Sequence, residues 1–344
     1  MLEIIGDEQM NTIGELQRTA ESADGIRTRL CPRCYLCQTQ GEPLYENLAD
    51  CLFGVPGTWN LMRCPNSKCG MAWLNPVPLE EDIGKAYAKY YTHGDTPMPR
   101  TWFAEVMRRR GLILRSLANP VQAERESLYL MHLDNVKPGK LLDVGCGDGA
   151  RLARLRALGW DVCGQDVDPV AVAYARETLG LEANLGQLKD LPYPENSFDC
   201  VTLNHVIEHT HDPVGLLEES RRFLKTGGLL VVITPNVSSF AHKHFGRFWR
   251  GLEPPRHIHL FSPKTLATTA AKAGFTRIRV RTTVGNAQIF AHGSLAVRNG
   301  GALPFTPLSM FLREIYSLGC LYRSVFEHFR DTDSGEECVL QATH

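Results

Sequence analysis

The sequence contains no run of about 20 apolar residues, the length that a helix needs to cross a bilayer. It also has no excess of either charge, since 37 Lys and Arg stand against 38 Asp and Glu and the net charge is -1. A chain this balanced has no overall field that favours nucleic acid or anionic lipid. Its first 17 residues lack the basic start and the apolar stretch of a signal peptide. We therefore expect a cytoplasmic protein without a membrane span and without general affinity for nucleic acid.

Internal repeats and low-complexity tracts are absent as well, so what remains is an ordinary globular composition. The chain has 344 residues, of which 43% are hydrophobic and 22% charged. This length is more than a single hydrophobic core usually serves, and the apolar fraction is enough for a well-buried interior. We expect one main domain of roughly 200 residues together with something smaller.

The pattern along the chain divides it into four parts. Residues 1–30 read as a polar, loosely held leader, 31–78 as a small module rich in Cys, Gly and Pro, and 79–135 as a helical bridge. From residue 136 to 344, short apolar strands such as KLLDVG, DVCGQD, FDCVTLN and GLLVVIT alternate with helical segments. This alternation predicts a doubly wound, mostly parallel α/β sheet, interrupted by a helical insertion at about 287–334.

Cysteines are concentrated near the start of the chain, where six of the eleven fall between residues 31 and 69. The pairs Cys34-x2-Cys37 and Cys64-x4-Cys69 are separated by 26 residues, so that each short loop can direct two thiolates at one ion. We predict a structural zinc site with these four ligands, since four thiolates leave no open coordination position. Cys31 could replace a neighbour or stay free, and reduced cysteines without metal are the alternative.

Three glycines follow the first strand of the predicted sheet and precede a helix. Gly145, Gly147 and Gly149 allow the sharp turn and let a ligand approach the backbone. Because Ala150 completes a G-x-G-x-x-A pattern, a dinucleotide-binding half stays open. Asp143, two positions before the first glycine, instead suits a ligand that carries an ammonium group.

The segments LLDVGCGDG and LPYPENSFDCVTLNHVIEHTHDPVGLLEESRRFLKTGGLLVVITPN, at 141–149 and 191–236, resemble the class I S-adenosylmethionine-dependent methyltransferases. The resemblance implies a seven-stranded sheet and S-adenosylmethionine as methyl donor. It places the methionine part beside Asp143 and the turn, the ribose at the end of the second strand, the adenine after the third, and the sulfonium at the end of the fourth. The implied donor contacts are Asp143, Gly145, Cys146, Gly147, Asp166, Val167, Gln187, Leu188 and Asn204. The family often has an acid where Gln187 stands.

The methyl acceptor needs a base, and histidines cluster where the strands end. His205, Glu208 and His209 follow the fourth strand, and His257 and His259 lie on the loop after the fifth. We expect His209 and His257 to act as base or ligand, with only one of His257 and His259 facing the site because alternate residues of an extended segment point opposite ways.

The H-x-x-E-H spacing of His205, Glu208 and His209 places all three on one helical face and also occurs in zinc peptidases. A peptidase helix should not lie between the strands of a nucleotide-binding sheet. The spacing is also similar to the E-x-x-E-H of RNA 3'-end methyltransferases, which hold a divalent ion, but His205 replaces the first acid here.

Two aromatic segments could close over the ligands. FAHKHFGRFWRG at 240–251 mixes aromatic and basic residues, and YAKYYTHG at 87–94 precedes the glycine turn. Packing of either segment is the alternative. A helix starting at Thr306 and Pro307 is predicted to carry one apolar face, for packing on the domain or for a homodimer. That face is formed by Leu308, Phe311, Leu312, Ile315 and Leu318.

The cysteine segments resemble zinc-binding heads that precede some bacterial methyltransferases, including deoxysugar C-methyltransferases. For the chain as a whole we predict O-methylation of a small hydroxylated acceptor such as a sugar, a glycan or a secondary metabolite. C-methylation of a nucleotide-linked deoxysugar is the alternative within the class. A silent donor-binding protein whose zinc head docks a partner is the alternative from another class.

Overall fold

The computed structural model describes residues 19–21, 25–87, 121–301 and 307–344. Its strands form sheets of three, four and seven members. The first six strands are β1 (Thr19–Glu21), β2 (Arg27–Arg29), β3 (Glu42–Leu48), β4 (Trp59–Arg63), β5 (Ala72–Leu74) and β6 (Val77–Pro78). The later strands are β7 (Lys140–Val144), β8 (Asp161–Asp166), β9 (Glu182–Leu185), β10 (Phe198–Asn204), β11 (Leu224–Pro235), β12 (His259–Leu260), β13 (Thr276–Thr283) and β14 (Glu337–Thr343).

The large sheet has the order β13-β14-β11-β10-β7-β8-β9. Strands β7 to β11 are parallel, and β14 lies antiparallel between β11 and β13. The predicted doubly wound, seven-stranded, mostly parallel sheet is therefore confirmed, including its antiparallel last strand. The strand order changes direction between β7 and β10, which opens a crevice at their carboxyl ends where such sheets bind ligands.

Helices cover both faces of this sheet, and several begin at side chains that accept from the first free N–H groups. Asp168 accepts from Val170 and Ala171 ahead of Pro169, and Ser262 forms a reciprocal capping box with Thr265. The α-helices are α1 (Gln122–Tyr129), α2 (Ala150–Ala157), α3 (Pro169–Glu177), α4 (Pro213–Phe223), α5 (Phe240–Phe245), α6 (Pro263–Lys272), α7 (Ala287–Arg298) and α8 (Pro307–Arg330).

The N-terminal part is joined to the large sheet rather than merely preceding it. The four-stranded sheet has the order β12-β5-β4-β3, so its edge strand β12 comes from the loop after β11. Buried Cys34, Cys64 and Trp73 belong to the same apolar cluster as Leu203 and Phe261 of the later chain. The small sheet thus packs onto the carboxyl edge of the large one and forms a wall of the crevice.

Two features of the structure differ from what the sequence pattern predicts. Strand β2 lies inside the segment 1–30 that is expected to be a polar leader; it pairs with β6, and Ile26 next to it is buried. On α8, Leu308, Phe311, Leu312 and Ile315 are exposed instead of packing on the domain, because the helix turns that face away from its contacts with α7. Of that face, Leu318 packs, against a cluster that contains Val121 and Leu321.

Most of the predicted helical bridge, the segment YAKYYTHG after Tyr87, and Thr306 lie outside the described residues. Among the residues that the structure describes, no helix combines the length and the apolar character needed to cross a membrane.

Candidate active site

The chain turns sharply between β7 and α2, at the carboxyl edge of the large sheet. Gly145 and Gly147 have φ angles of 69° and 57°, in the region that favours glycine. A Cβ on Gly145 would collide with Val206, whereas a Cβ on Gly147 would meet no atom within 4 Å. The Gly147 N–H donates to Asp166 Oδ2 over 2.8 Å. The turn therefore leaves open space beside a carboxylate, where a ligand can approach the backbone.

Asp143, at the end of β7, is completely buried. Its Oδ1 accepts from the Thr202 hydroxyl over 2.6 Å, and its Oδ2 lies 3.8 Å from Arg151 Nη1. Among the described residues, that Oδ2 and the buried Arg151 Nε have no hydrogen-bond partner. Burial raises the pKa of Asp143, although Arg151 and Thr202 oppose the shift. A carboxyl group and a guanidinium that each have an atom without a hydrogen-bond partner can bind a ligand group that carries both a positive and a negative charge.

His205 follows β10 directly and adopts a φ of 53°. Its Nδ1 lies 3.1 Å from Glu208 Oε1, and its Nε2 lies 2.7 Å from Glu337 Oε1. Burial alone would lower the pKa of His205, but these two carboxylates raise it above its ordinary value. Because ionised carboxylates only accept, both ring nitrogens donate and the imidazolium neutralises two buried acids. His205 therefore has no free nitrogen with which to take a proton.

His209 and His257 meet at this edge with ring centroids 4.7 Å apart. His209 Nδ1 donates to the Arg256 carbonyl over 3.0 Å, and His257 Nδ1 donates to the Gly251 carbonyl over 2.7 Å. Since a carbonyl only accepts, Nδ1 carries a hydrogen in both rings, and in a neutral ring Nε2 then holds the lone pair. Burial and the neighbouring His209 lower the pKa of His257 to about 4. Near neutral pH, His257 can accept a proton or bind a cation.

Glu208 lies beneath this histidine pair. It is 1% exposed, and its Oε2 accepts from the Thr234 hydroxyl over 2.9 Å. Burial would raise its pKa, but the hydrogen bond and charge of His205 lower it below the ordinary value. One ring nitrogen of His209, one of His257 and one oxygen of Glu208 all lie within 4.8 Å of one another. The cluster therefore combines one buried carboxylate with two imidazole rings.

The four cysteines predicted as a zinc site are brought together. The Sγ atoms of Cys34, Cys37, Cys64 and Cys69 lie within 4.8 Å of one another and form no disulfide. Cys34 Sγ is 3.6 Å from Cys69 Sγ, and Cys37 Sγ is 3.4 Å from Cys64 Sγ. Sulfur atoms that share a tetrahedral zinc are about 3.8 Å apart, so the donor set fits that ion. Cys31 is outside the group.

Residues 120–280 match the family model described as a methyltransferase domain. That segment contains β7 to β11, the glycine turn and both histidines of the pair. This part of the chain is a class I S-adenosylmethionine-dependent methyltransferase domain. The cysteine cluster and helices α7 and α8 lie outside the matched residues.

Curated relatives agree with this family. The chain is 36% identical over 146 residues to a ubiquinone biosynthesis O-methyltransferase of Cereibacter sphaeroides, covering 39% of this chain and 59% of the relative. It is 35% identical over 102 residues to a probable S-adenosylmethionine-dependent methyltransferase of Mycobacterium tuberculosis, covering 29% and 37%. It is also 36% identical over 117 residues to a sterol 24-C-methyltransferase of Gibberella zeae, covering 31% of each. The chain thus spans about a third to three fifths of the length of these relatives.

A solved structure from Thermotoga maritima, a possible histamine N-methyltransferase, has a TM-score of 0.44 and 20% identity to this chain. The similarity covers 70% of this chain and 96% of that one.

The donor residues predicted for the methyltransferase domain lie along one edge. Asp166 ends β8, where its carboxylate accepts from the Gly147 and Asp168 amides, and Val167 beside it is exposed. Gln187 is exposed after β9, whereas Leu188 is buried in the core. Cys146 is buried under the turn, and half-buried Asn204 ends β10 next to His205.

His259 does not join the histidine pair. In β12 its ring packs against Tyr35 at a centroid distance of 5.2 Å, and its Nε2 approaches the His211 carbonyl. The alternation of an extended segment therefore turns His257 into the methyltransferase edge and His259 toward the cysteine module. The predicted helix after β10 is a single 3-10 turn, Ile207–His209, with His205 outside it, so the zinc-peptidase alternative has no helical support.

The segment 240–251 packs between the N-terminal sheet and helices α7 and α8. His242 stacks near Trp249, Trp249 stacks on Phe290, and Arg247 donates to the Glu46 and Asn47 carbonyls. The packing alternative is therefore the one observed for this segment. Tyr87 instead reaches the edge, where its hydroxyl lies 2.9 Å from His209 Nδ1.

Several residues of the edge were not predicted. Arg151, Thr202, Thr234 and Glu337 touch predicted residues but carry no motif of their own. The two threonines offered the one usable signal, because each is a fully buried polar residue inside an apolar strand and needs a partner.

Proposed function

We propose that this chain transfers a methyl group from S-adenosylmethionine to a small acceptor at the carboxyl edge of the large sheet. The observation that carries the proposal is that Asp143 Oδ2 and Arg151 Nε have no hydrogen-bond partner among the described residues and lie next to the open glycine turn. The donor's amino-acid end carries an ammonium and a carboxylate, which match these two side chains in sign. A pyrophosphate would meet the Asp143 carboxylate instead, so a dinucleotide fits less well.

The histidine pair supplies the second requirement of the reaction. A sulfonium is already an activated leaving group, so the protein has to align the acceptor and remove its proton. We assign the role of proton acceptor to Nε2 of His209 or of His257, the ring nitrogen that does not face a backbone carbonyl in either residue. The methyl group leaves sulfur with its bond electrons remaining there, and the acceptor oxygen forms the new bond as its proton goes to the imidazole.

We further propose O-methylation of a small hydroxylated acceptor such as a sugar, a glycan or a secondary metabolite. A neutral imidazole matches the strength of base that a hydroxyl needs, and one relative bears the name of an O-methyltransferase. Another relative bears the name of a C-methyltransferase, so C-methylation, including that of a nucleotide-linked deoxysugar, stays the alternative. Mass spectrometry with fragmentation of the product locates the new methyl on oxygen or on carbon.

The cysteine cluster is proposed to hold one structural zinc ion. The supporting observation is the set of four thiols with sulfur contacts of 3.4 and 3.6 Å. Zinc would close the loops around Cys34 and Cys64 and thereby order the sheet that contains β12. It takes no part in the transfer, because four thiolates leave no position for substrate.

A divalent cation at Glu208, His209 and His257 is a second candidate for how the acceptor is activated. The supporting observation is the 4.8 Å grouping of their ligand atoms, with each Nδ1–H already directed at a carbonyl. Such an ion would make the acceptor hydroxyl more acidic and would replace the free imidazole as its activator.

Ligand titration and a transfer assay test the proposed function. We expect S-adenosylhomocysteine to bind and NADH not to bind, and a methyl group to appear in a panel of sugars, glycans and phenols. Binding of NADH alone would contradict it. Tight donor binding without turnover on any acceptor, unaffected by loss of His209 and His257, would favour the silent donor-binding protein. A cytosolic location, the four domain boundaries and a homodimer stay predictions.

A further inference from the structure

A buried arginine connects the cysteine-bearing sheet to the histidine pair. The Arg256 guanidinium is fully buried, with Nη1 donating to Asp50 Oδ2 over 2.9 Å and Nε donating to Glu253 Oε1 over 3.1 Å. Nη1 also donates to the Ala86 carbonyl, and the group lies 4.5 Å from the Phe53 ring centre. Three segments of the chain that are distant in sequence are thus fixed to one side chain.

The Asp50 end of this connection is itself rigid. Oδ1 of Asp50 accepts from the amides of Leu52 and Phe53, and Oδ2 accepts from the amide of Val55. The carboxylate therefore closes the loop between β3 and β4 on itself before it meets the arginine. A guanidinium held by such an acceptor has little freedom, because its planar donor fork has to match fixed oxygen positions.

The other end of the connection reaches the histidines through the backbone. The amides of Arg256 and His257 both donate to the Glu253 carbonyl, which makes residues 253–257 a tight turn. The Arg256 carbonyl then accepts from His209 Nδ1, which also lies 2.9 Å from the Tyr87 hydroxyl, and His257 follows Arg256 in the chain. A shift of the guanidinium would displace the carbonyl that sets the His209 tautomer and the ring of His257 together.

We propose that Arg256 is a positioning residue that uses Asp50 of the N-terminal part to hold His209 and His257 in their reactive orientation. The inference rests on the proposed function for what the histidines do, but not for how they are held. The N-terminal sheet then contributes to the active site, because Asp50 in its β3–β4 loop holds the 253–257 turn of the methyltransferase domain in place.

The test compares full-length chains that carry Arg256→Met, Arg256→Lys and the control Arg247→Met. Arg247 also joins the two parts, but its hydrogen bonds go to the Glu46 and Asn47 carbonyls. The readouts are the nitrogen chemical shifts of the histidine rings, which report the tautomer, the affinity for S-adenosylhomocysteine, and the rate at saturating substrates.

In Arg256→Met we expect His209 to lose its single Nδ1–H tautomer and the transfer rate to fall by about 100-fold, the cost of a small misplacement. Donor affinity stays unchanged because the glycine turn is separate. Arg256→Lys, which keeps the charge, recovers part of the rate, and Arg247→Met behaves as the unaltered chain. A wild-type tautomer and rate in Arg256→Met, or an equal loss in Arg247→Met, would overturn the proposal.

If Arg256→Met does not fold, Asp50→Asn decides, since it keeps the shape of the acceptor and removes its charge. A mixed tautomer of His209 in folded Asp50→Asn supports the proposal, and an unchanged tautomer and rate overturn it. If the unaltered chain methylates nothing, the proposed function fails, while the tautomer measurement still decides the role of Arg256.

Discussion

Oδ2 of Asp143 and Nη1 of Arg151 lie 3.8 Å apart, too far for a hydrogen bond and close enough for both to touch one ligand group. Their separation by eight positions puts an acid at the end of β7 and a base in the first turn of α2, on the two sides of the glycine turn.

Arg151→Met is expected to weaken binding of S-adenosylhomocysteine by about 1.5–3 kcal/mol, the usual value of a hydrogen bond to a charged group. The physical reason is the loss of the cation that receives the ligand carboxylate. Calorimetric titration measures the change. The matched control is methylthioadenosine, which lacks the amino-acid end, so its affinity should not change; an equal loss for both ligands would refute the assignment.

Asp166→Ala is expected to weaken donor binding by about 1–3 kcal/mol, because the ribose hydroxyls lose their acceptor. The same titration serves, and Asp161→Ala at the exposed other end of β8 is the control. Because Asp166 also accepts from the Gly147 amide, part of the loss comes from a looser turn. Unchanged affinity would remove Asp166 from the site.

Zinc content distinguishes the cysteine cluster from ordinary thiols. The unaltered chain is expected to carry one zinc per chain by mass spectrometry, and Cys34→Ser or Cys64→Ser to lose it together with thermal stability, because the closed loops depend on the metal. Cys51→Ser, at a cysteine outside the cluster, is the control. A second equivalent that disappears in His257→Gln would favour a cation at the histidine pair.

Loss of the histidine pair should affect transfer rather than donor binding. His209→Gln and His257→Gln are each expected to slow the reaction by about 100- to 10,000-fold, the usual contribution of a positioned acid or base. His259→Gln, in the same loop but turned toward Tyr35, should retain most of the rate. If His209→Gln and His257→Gln were as fast as His259→Gln, neither the His209 nor the His257 ring would be the group that takes the proton.

Acid should destabilise the fold through His132, a residue next to the large sheet. Burial and the charge of Arg281 lower its pKa to about 4 from an ordinary value of 6.5, so the unfolded chain binds a proton that the folded chain refuses. Its contribution to stability is complete above pH 6.5 and is lost as the pH falls toward 4. Urea unfolding at several pH values measures this, and His132→Gln should flatten the slope in that range.

Glu336 should behave with the opposite sign. Burial raises its pKa to about 7 although Ser324, Ser239 and the Ala241 amide donate to it. Its contribution is complete below the ordinary value of 4.5 and is lost as the pH rises toward 7. Glu336→Gln should therefore remove the loss of stability between pH 4.5 and about 7 in urea unfolding, and an unchanged slope there would contradict the shift.

The large sheet could be predicted because its strands are short apolar runs between polar turns, and such runs carry their own signal. The glycine turn, Asp166 and the His209–His257 pair could be placed for a related reason. Each lies at the end of a strand or on the loop after it, and the carboxyl ends of parallel strands meet at one edge. The cysteine cluster was readable from spacing alone.

The rest depends on pairs that are distant in sequence and have no pattern. Asp50 and Arg256 are 206 positions apart, and His205 and Glu337 are 132 apart, so no local rule connects them. The alternation rule indicated that one of His257 and His259 faces the site, but it could not say which one. The face of α8 was read correctly as apolar, while its exposure depends on tertiary packing that periodicity does not report.

Strand β12, two residues long, completes a sheet whose other strands lie at least 185 positions earlier in the chain. The four-stranded sheet is therefore built from two pieces of the chain that are discontinuous in sequence. A hybrid that joins the N-terminal part of one relative to the C-terminal part of another would separate β12 from the strands it evolved with. Only an exchange that moves both pieces together preserves the pairing of β12 with β5.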